Sequence, residues 1–132
     1  MRLFSLLLGL TLWLTPVHAQ EQRIQDVIAS QIEAFEAQDV ETAFSYASPN
    51  IQSIFGTSEN FGTMVRNGYP MVWAPTAYEF LDQQDHGATT WQRLKFTDAQ
   101  GKAHWFAYEM VQVNGAWRIN GVFRLDPPGL SA

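Results

Sequence analysis

The sequence contains no cysteine, and this absence excludes several kinds of protein at once. A disulfide framework, a thiolate metal site and the lipid-bearing cysteine of a bacterial lipoprotein all need that residue. A Gly-x-Ser-x-Gly nucleophile motif and a phosphate-binding glycine loop are also missing, so covalent catalysis and nucleotide chemistry are not expected. The domain must depend on its apolar core, which nine Phe, five Trp and four Tyr can supply.

Basic residues are few, since eight Lys and Arg stand against thirteen Asp and Glu, for a net charge of −5. This balance argues against nucleic acid as a partner and against electrostatic docking on anionic lipid. The charge is also uneven. From Glu21 to Asp85 the only basic residues are Arg23 and Arg66, whereas the remainder of the chain is weakly basic.

The only long hydrophobic run lies at the N-terminus. Met1-Arg2 is followed by an apolar stretch from Leu3 to Leu14 and by Val17-His18-Ala19. A positive start, a hydrophobic middle and a small-x-small end are typical of a cleavable signal peptide, and the run falls short of the roughly 20 residues of a membrane span. We predict cleavage after Ala19 and a single domain over residues 20–132, periplasmic or secreted, with no membrane anchor after cleavage. The alternative is a buried N-terminal core helix.

Apolar residues at helical spacing predict helices in the first half of the mature chain. Ser58 is a candidate cap for one of them, and Gly68 a candidate end. The two prolines at 70 and 75 favour an extended segment between them. The predicted elements are helices over 22–38, 40–47 and 59–67, a short helical turn over 49–56, and an extended segment over 71–74.

From Thr76 the apolar period becomes alternating, which predicts strands, the first of them over 76–81. The Asn114-Gly115 pair is typical of a two-residue type I′ hairpin turn, which pairs Val113 with Ala116. Counting outward places Met110 opposite Ile119, Tyr108 opposite Gly121, Phe106 opposite Phe123 and His104 opposite Leu125.

The turn over 98–102 resembles a type I turn with a glycine bulge, and it places Gln92 opposite Tyr108 and Phe96 opposite His104. The two hairpins agree on which face is buried. The predicted fold class is therefore α+β, with N-terminal helices packed on one face of a four-stranded antiparallel sheet.

Two segments also resemble known proteins. The stretch QIEAFEAQDVETAFSYASPNIQSIFGTSENFGTMVRNGYPMVWAP, with GAWRING near the end, resembles a small exported bacterial family known only as a domain of unknown function. The order of elements is similar to the nuclear transport factor 2-like, or cystatin-like, superfamily. That resemblance implies a curved sheet and a cone-like pocket, but no catalytic residue, because one fold can carry many functions.

The pocket candidates on the inward face are Gln92, His104, Tyr108 and Gly121. They could line a small, mostly apolar pocket in which His104 and Tyr108 act as general acid and base. The alternative is an ordinary core in which Tyr108 and Gln92 hydrogen-bond each other and His104 lies at the wet margin. No carboxylate is predicted on the inward face of the last three strands, which counts against the proton-transfer chemistry that the superfamily resemblance implies.

The segment Asp82-Gln83-Gln84-Asp85-His86 brings two carboxylates and an imidazole close together in sequence. Such a set could bind a metal, but a metal site needs fixed geometry and supporting contacts. A solvated hairpin loop is the favoured interpretation. We predict neither a metal nor a cofactor.

The outward sheet face alternates aromatic and basic residues, a composition typical of protein interfaces. We interpret it as a surface for a homodimer or another protein; the alternative is that arginine stems cover the rings in a monomer. The interface candidates are Trp91, Arg93, Trp105, Val111, Arg118 and Arg124.

Taken together, these patterns favour an exported, non-enzymatic module that binds a small apolar ligand in its pocket or a protein on its sheet face. One alternative is a cofactor-free enzyme of the isomerase or dehydratase kind that uses His104 and Tyr108. A third possibility is a structural subunit of an envelope assembly.

Overall fold

A computed structural model describes Gly9 and residues 16–129. Apart from Gly9, the apolar run from Leu3 to Leu14, on which the signal-peptide prediction depends, lies outside the described residues. Within the described residues, five helices precede four strands. The helices are α1 (Pro16–Glu36), α2 (Val40–Ser45), α3 (Pro49–Phe55), α4 (Ser58–Gly68) and α5 (Pro70–Trp73). The strands are β1 (Ala77–Asp85), β2 (Thr89–Thr97), β3 (Ala103–Val113) and β4 (Ala116–Leu125).

Helix α1 supplies the helical side of the core. Ile24, Ile28, Ile32 and Phe35 recur at three- and four-residue spacing and are all buried, so they form one apolar stripe. The described part of the helix already includes Pro16, six residues before the predicted start at 22. No helix among the described residues has the length and apolar character needed to span a membrane.

Helices α2, α3 and α4 each begin directly after a residue whose side chain caps the helix. The Asp39 side chain accepts a hydrogen bond from Thr42 N in α2, and Ser48 accepts one from Ile51 N in α3. The cap of α4 is Thr57, which accepts from Asn60 N, so the prediction of Ser58 as the cap was wrong by one residue. Both residues carry a hydroxyl, and the capping role goes to the one with extended backbone dihedrals.

The prediction of an extended segment over 71–74, between the two prolines, is wrong. Pro70 instead begins the four-residue helix α5, because proline suits the first helical position, where its missing N–H would have no helical partner. Val72 N and Trp73 N donate to Tyr69 O. This turn buries the side chains of Met71 and Val72 in the core.

The strands form one curved antiparallel sheet in the order β1-β2-β3-β4, with the helices on one face, so the predicted fold class is confirmed. The predicted register of β2 with β3 is also confirmed, since Gln92 pairs with Tyr108 and Phe96 with His104. Strand β1 continues to Asp85, so most of the segment predicted as a solvated loop is strand.

The predicted register of β3 with β4 holds only near the turn. Val113 pairs with Ala116 and Met110 with Ile119, as expected, but the register then shifts by one residue. Tyr108 lies opposite Val122 rather than Gly121, Phe106 opposite Arg124 rather than Phe123, and Trp105, not His104, lies opposite Leu125. Because neighbouring strand residues point to opposite faces, Val122 and Arg124 turn inward and Phe123 and Leu125 turn outward.

The extra residue at this β-bulge is Asn120, and its side chain explains why the bulge forms here. Asn120 Oδ1 accepts a hydrogen bond from Ser48 Oγ at 2.7 Å, and Nδ2 donates to Glu109 Oε1 at 3.2 Å. Ser48 N also donates to Ile119 O at 2.8 Å. The bulge therefore joins strand β4 to the connection between α2 and α3, and a glycine within a strand often marks such a site.

Candidate ligand cavity

A cavity of about 370 Å³ lies between the helices and the inner face of β3 and β4. Its size is in the range of pockets that take up small molecules. Most of its wall is aliphatic or aromatic. The apolar lining includes Phe35 of α1, Ala47 between α2 and α3, Ile51, Ile54 and Phe55 of α3, Phe61, Met64 and Val65 of α4, Val72 of α5, and Ile119 and Val122 of β4.

None of the described residues that line the cavity carries an ionisable carboxylate, imidazole, ammonium or guanidinium group. The polar side chains in the wall are Gln31, Asn50, Tyr69, Tyr108 and Asn120. Gln31 is buried and its Nε2 donates to Ala43 O at 3.1 Å. Because burial of an unpaired charge is costly, this wall suits an uncharged apolar body.

Tyr108, in the middle of β3, is the most unusual polar group in the wall. Its side chain is completely buried, and its hydroxyl has no hydrogen-bond partner within the described part of the chain. Burial raises the pKa of Tyr108 well above its ordinary value, so the hydroxyl stays protonated and able to donate. A buried hydroxyl without a partner costs roughly 1–3 kcal/mol. Trp117 Nε1 is also buried and without a partner, but Trp117 does not line the cavity.

Gln92 lies opposite Tyr108 in the sheet, yet the expected hydrogen bond between the two is not made. The Gln92 amide is used at an irregularity of β1: Nε2 donates to Leu81 O at 3.0 Å, and Oε1 accepts from Gln83 Nε2 at 2.6 Å. It satisfies backbone groups that the irregular pairing of β1 and β2 leaves free. Gln92 is therefore a structural residue of the sheet and not part of the cavity wall.

His104 also lies outside the cavity wall. Its Nε2 is 2.7 Å from Asp98 Oδ2 at the turn between β2 and β3. The hydrogen bond from His104 is the largest cause of the lowered pKa of Asp98, followed by the hydrogen bond from the backbone N–H of Lys102. The structure therefore does not bring His104 and Tyr108 together in one pocket, which the isomerase or dehydratase hypothesis requires.

Gly121 lies in the cavity wall, but it pairs with Glu109 and not with Tyr108, the partner that the sequence analysis predicted. A Cβ atom built on Gly121 would approach Phe123 Cε2 to 2.7 Å and Glu109 Oε2 to 3.6 Å, so the missing side chain makes room for the Phe123 ring. The space next to Tyr108 is instead occupied by Val122, its partner across the strands. Sequence analysis missed Val122 because it did not predict the bulge at Asn120.

Helix α3 forms one wall of the cavity without a single fully buried residue. Ile54 lines the cavity although 64% of its surface is exposed. Polar contacts hold the helix. Ser48 bonds to Asn120 at its start, and Gln52 Nε2 donates to Phe44 O and Ala47 O at 3.1 and 3.2 Å. Helix α3 is therefore the most exposed wall of the cavity. The spacing of Ile51, Ile54 and Phe55 on one face of the helix was the feature of the sequence that could have placed it there.

The outer sheet face has an apolar centre. The rings of Trp91 and Phe123 are 5.3 Å apart, and Ala107 is buried on the same face. Phe123 and Leu125 remain 48% and 36% exposed. The interface candidates Trp105, Val111 and Arg118 lie half-buried on this face, together with the exposed Arg93.

Arg124 does not lie on the outer face. The register shift turns it inward, where its guanidinium lies 4.9 Å from the centre of the Tyr69 ring and its Nη2 donates to Gly68 O. Its place on the outer face is taken by Phe123 and Leu125. The face is consequently more apolar than the sequence predicted.

The carboxylates of the predicted metal alternative have other partners. Asp82 pairs with Arg93, which lowers the pKa of Asp82, and Asp85 Oδ1 accepts from Gly87 N at 2.9 Å. His86 Nε2 lies 3.3 Å from Gln84 Oε1. Across Gly9 and residues 16–129, no three such side chains are grouped closely enough to hold a metal ion.

The helix-and-sheet architecture and its cavity define the nuclear transport factor 2-like class of folds, and comparison with solved structures agrees. A protein of unknown function of this class from Shewanella oneidensis MR-1 superposes with a TM-score of 0.56 at 12% identity, over 81% of this chain and 99% of that one. Another from Burkholderia xenovorans LB400 gives 0.50 at 19% identity, over 83% and 90%. At these identities the likeness shows the fold alone.

The chain belongs to the family described as "Domain of unknown function (DUF4864)", whose model matches residues 17–132. No curated protein sequence matches it significantly. The predicted membership of a family of unknown function is therefore confirmed, and the predicted nuclear transport factor 2-like fold is confirmed as a fold.

Proposed function

We propose that the protein is a binding module whose cavity takes up a small, mostly apolar molecule, with a hydrogen-bond acceptor placed against Tyr108. The observation that carries this proposal is an uncharged, mostly apolar cavity whose wall includes Tyr108, the hydroxyl of which is buried and has no partner within the described part of the chain. Buried polar groups in proteins nearly always have a partner, and a bound molecule would supply one.

The composition of the wall favours binding over proton transfer. General acid-base catalysis needs a group whose pKa lies near the working pH. Tyr108 is far from that condition, because burial moves its pKa away from neutrality. His104, the proposed partner of Tyr108 in the acid-base hypothesis, is hydrogen-bonded to Asp98 outside the cavity.

The proposal is tested with a neutral apolar fluorophore, N-phenyl-1-naphthylamine, titrated against the wild-type protein and two tryptophan variants. V122W fills the cavity from β4 and should abolish the fluorescence increase. The matched control V111W places the same side chain at a half-buried valine on the opposite face of the sheet, and should leave binding unchanged. Failure of the wild-type protein to bind, or equal binding by V122W, would refute the proposal.

A second candidate function is self-association through the outer sheet face. Its centre is apolar, with Phe123 and Leu125 exposed beside Trp91. Its periphery carries charges of both signs, in the pairs Arg93 with Asp82 and Lys95 with Glu79. Such a surface is complementary to a second copy of itself across a two-fold axis, with an apolar core and a polar rim.

We also propose that the protein works outside the cytoplasm after cleavage following Ala19. The first fully buried residue of α1 is Ile24, and Pro16, Val17 and His18 are exposed. Removal of the residues up to Ala19 would therefore leave the helical stripe of the core intact. Sequencing the N-terminus of the protein recovered from the periplasm or medium should find Gln20 first. An intact Met1 on that protein would contradict the proposal.

A further inference from the structure

Arg124 lies beside the cavity wall, where β4 contacts Gly68 and Tyr69 at the end of α4. Its guanidinium lies over the ring of Tyr69, and Tyr69 is part of the cavity wall. Val122, two residues before Arg124, lines the cavity as well. The Arg124 side chain itself is exposed, so it forms a positively charged point on the rim.

No carboxylate of the described residues pairs with this charge. None of the ion pairs among the described residues includes Arg124, whereas Arg93 and Lys95 on the outer face each pair with a carboxylate. One hydrogen bond, to Gly68 O, uses only part of a guanidinium that carries five N–H donors. The remaining donors are available to an acceptor at the rim.

The geometry points to an amphipathic monocarboxylate as the ligand, with its apolar body in the cavity and its carboxylate on Arg124. This inference rests on the proposed binding function. The wall carries no charge that could compensate a buried carboxylate, so the head group must stay at the rim, where water still reaches it. A guanidinium is well suited to this role because it binds carboxylates through paired, charge-assisted hydrogen bonds.

The test compares two probes with a ten-carbon chain that differ in the head group, decanoate and 1-decanol, as competitors of bound N-phenyl-1-naphthylamine. Each is measured with the wild-type protein, with R124Q and with the control R23Q, which removes an exposed arginine of α1. An exposed ion pair is worth up to about 1 kcal/mol, so R124Q should weaken decanoate about fivefold relative to decanol. R23Q should leave that ratio unchanged, and R124K should keep part of the preference.

The outcomes separate the inference from the function on which it rests. If neither probe displaces the fluorophore, the proposed function itself is refuted. If both probes bind and R124Q leaves the ratio of their affinities unchanged, the cavity binds apolar molecules but Arg124 does not select a carboxylate. If R124Q weakens both probes equally, Arg124 supports the wall through Tyr69, and the inference is again wrong.

Discussion

Replacing Tyr108 with phenylalanine should move stability and ligand affinity in opposite directions. In the ligand-free protein the hydroxyl is buried and has no partner among residues 16–129, a situation that costs roughly 1–3 kcal/mol. Y108F removes the hydroxyl and keeps the ring that packs against Phe96. We therefore expect the free energy of unfolding to rise by about 1 kcal/mol, or roughly 4–8 °C in Tm for a domain of this size.

The same substitution should weaken a ligand that presents an acceptor to the hydroxyl. A hydrogen bond contributes about 1 kcal/mol net, so 2-nonanone, an apolar ketone, should bind about fivefold more weakly to Y108F than to wild type. Urea unfolding monitored by circular dichroism gives the change in stability. An unchanged m value would show that wild type and Y108F expose the same amount of surface on unfolding. Displacement of N-phenyl-1-naphthylamine gives the affinity.

The control is Y78F, which removes the hydroxyl of a tyrosine that is only partly buried. Its stability should change by less than about 0.5 kcal/mol, because water can reach the hydroxyl in the folded state. A loss of 1 kcal/mol or more in ligand-free Y108F would refute the reasoning, since it would mean that the hydroxyl makes a favourable contact in the folded protein.

Two further predictions concern the sheet. Hydrogen bonds from His104 and the backbone lower the pKa of Asp98 in the folded protein. The ionised carboxylate therefore stabilises the fold at pH values above its ordinary pKa of about 3.9. This contribution is lost as the pH falls through the lower pKa of the folded state. D98N should be less stable than wild type at pH 7 but lose less stability between pH 7 and pH 3, measured as urea midpoints; equal losses would exclude this role. On the outer face, L125E should shift the sedimentation of the protein from dimer to monomer. The control I54E, at an exposed isoleucine of α3, should leave the dimer intact. A wild-type protein that is monomeric at every concentration would exclude self-association through this face.

Local signals in the sequence were sufficient for much of the fold. The two hairpin turns are encoded within a few residues, Asn114-Gly115 and the segment 98–102, and the strand pairs next to them agree with the structure. The helices follow from apolar spacing and cap residues in the same way. The exception is α5, where a proline that can end a strand or begin a helix was assigned to the wrong element.

The candidate site was less predictable, because the errors at Gln92 and His104 arose from side-chain contacts that strand alternation does not specify. Gln92 lies opposite Tyr108 as predicted, but the side-chain hydrogen bond of the ordinary-core alternative is not made, because the Gln92 amide bonds to Gln83 and to backbone groups of β1. His104 was expected at the pocket, but Asp98 holds it at the turn. In each case two polar partners were possible, and the alternating pattern of the strand does not distinguish between them.

By itself, the sequence determined the fold class, the strand order and the assignment of Tyr108 to the buried face. These properties depend on periodicity and turn chemistry, which act over a few neighbouring residues. Only the tertiary structure decided what surrounds Tyr108 and where Arg124 points. Both depend on the bulge at Asn120, whose amide bonds to Ser48, seventy-two residues away, and shifts the rest of β4 by one position. A single residue inserted into a strand exchanges its two faces, and no local pattern in the sequence fixes where that insertion occurs.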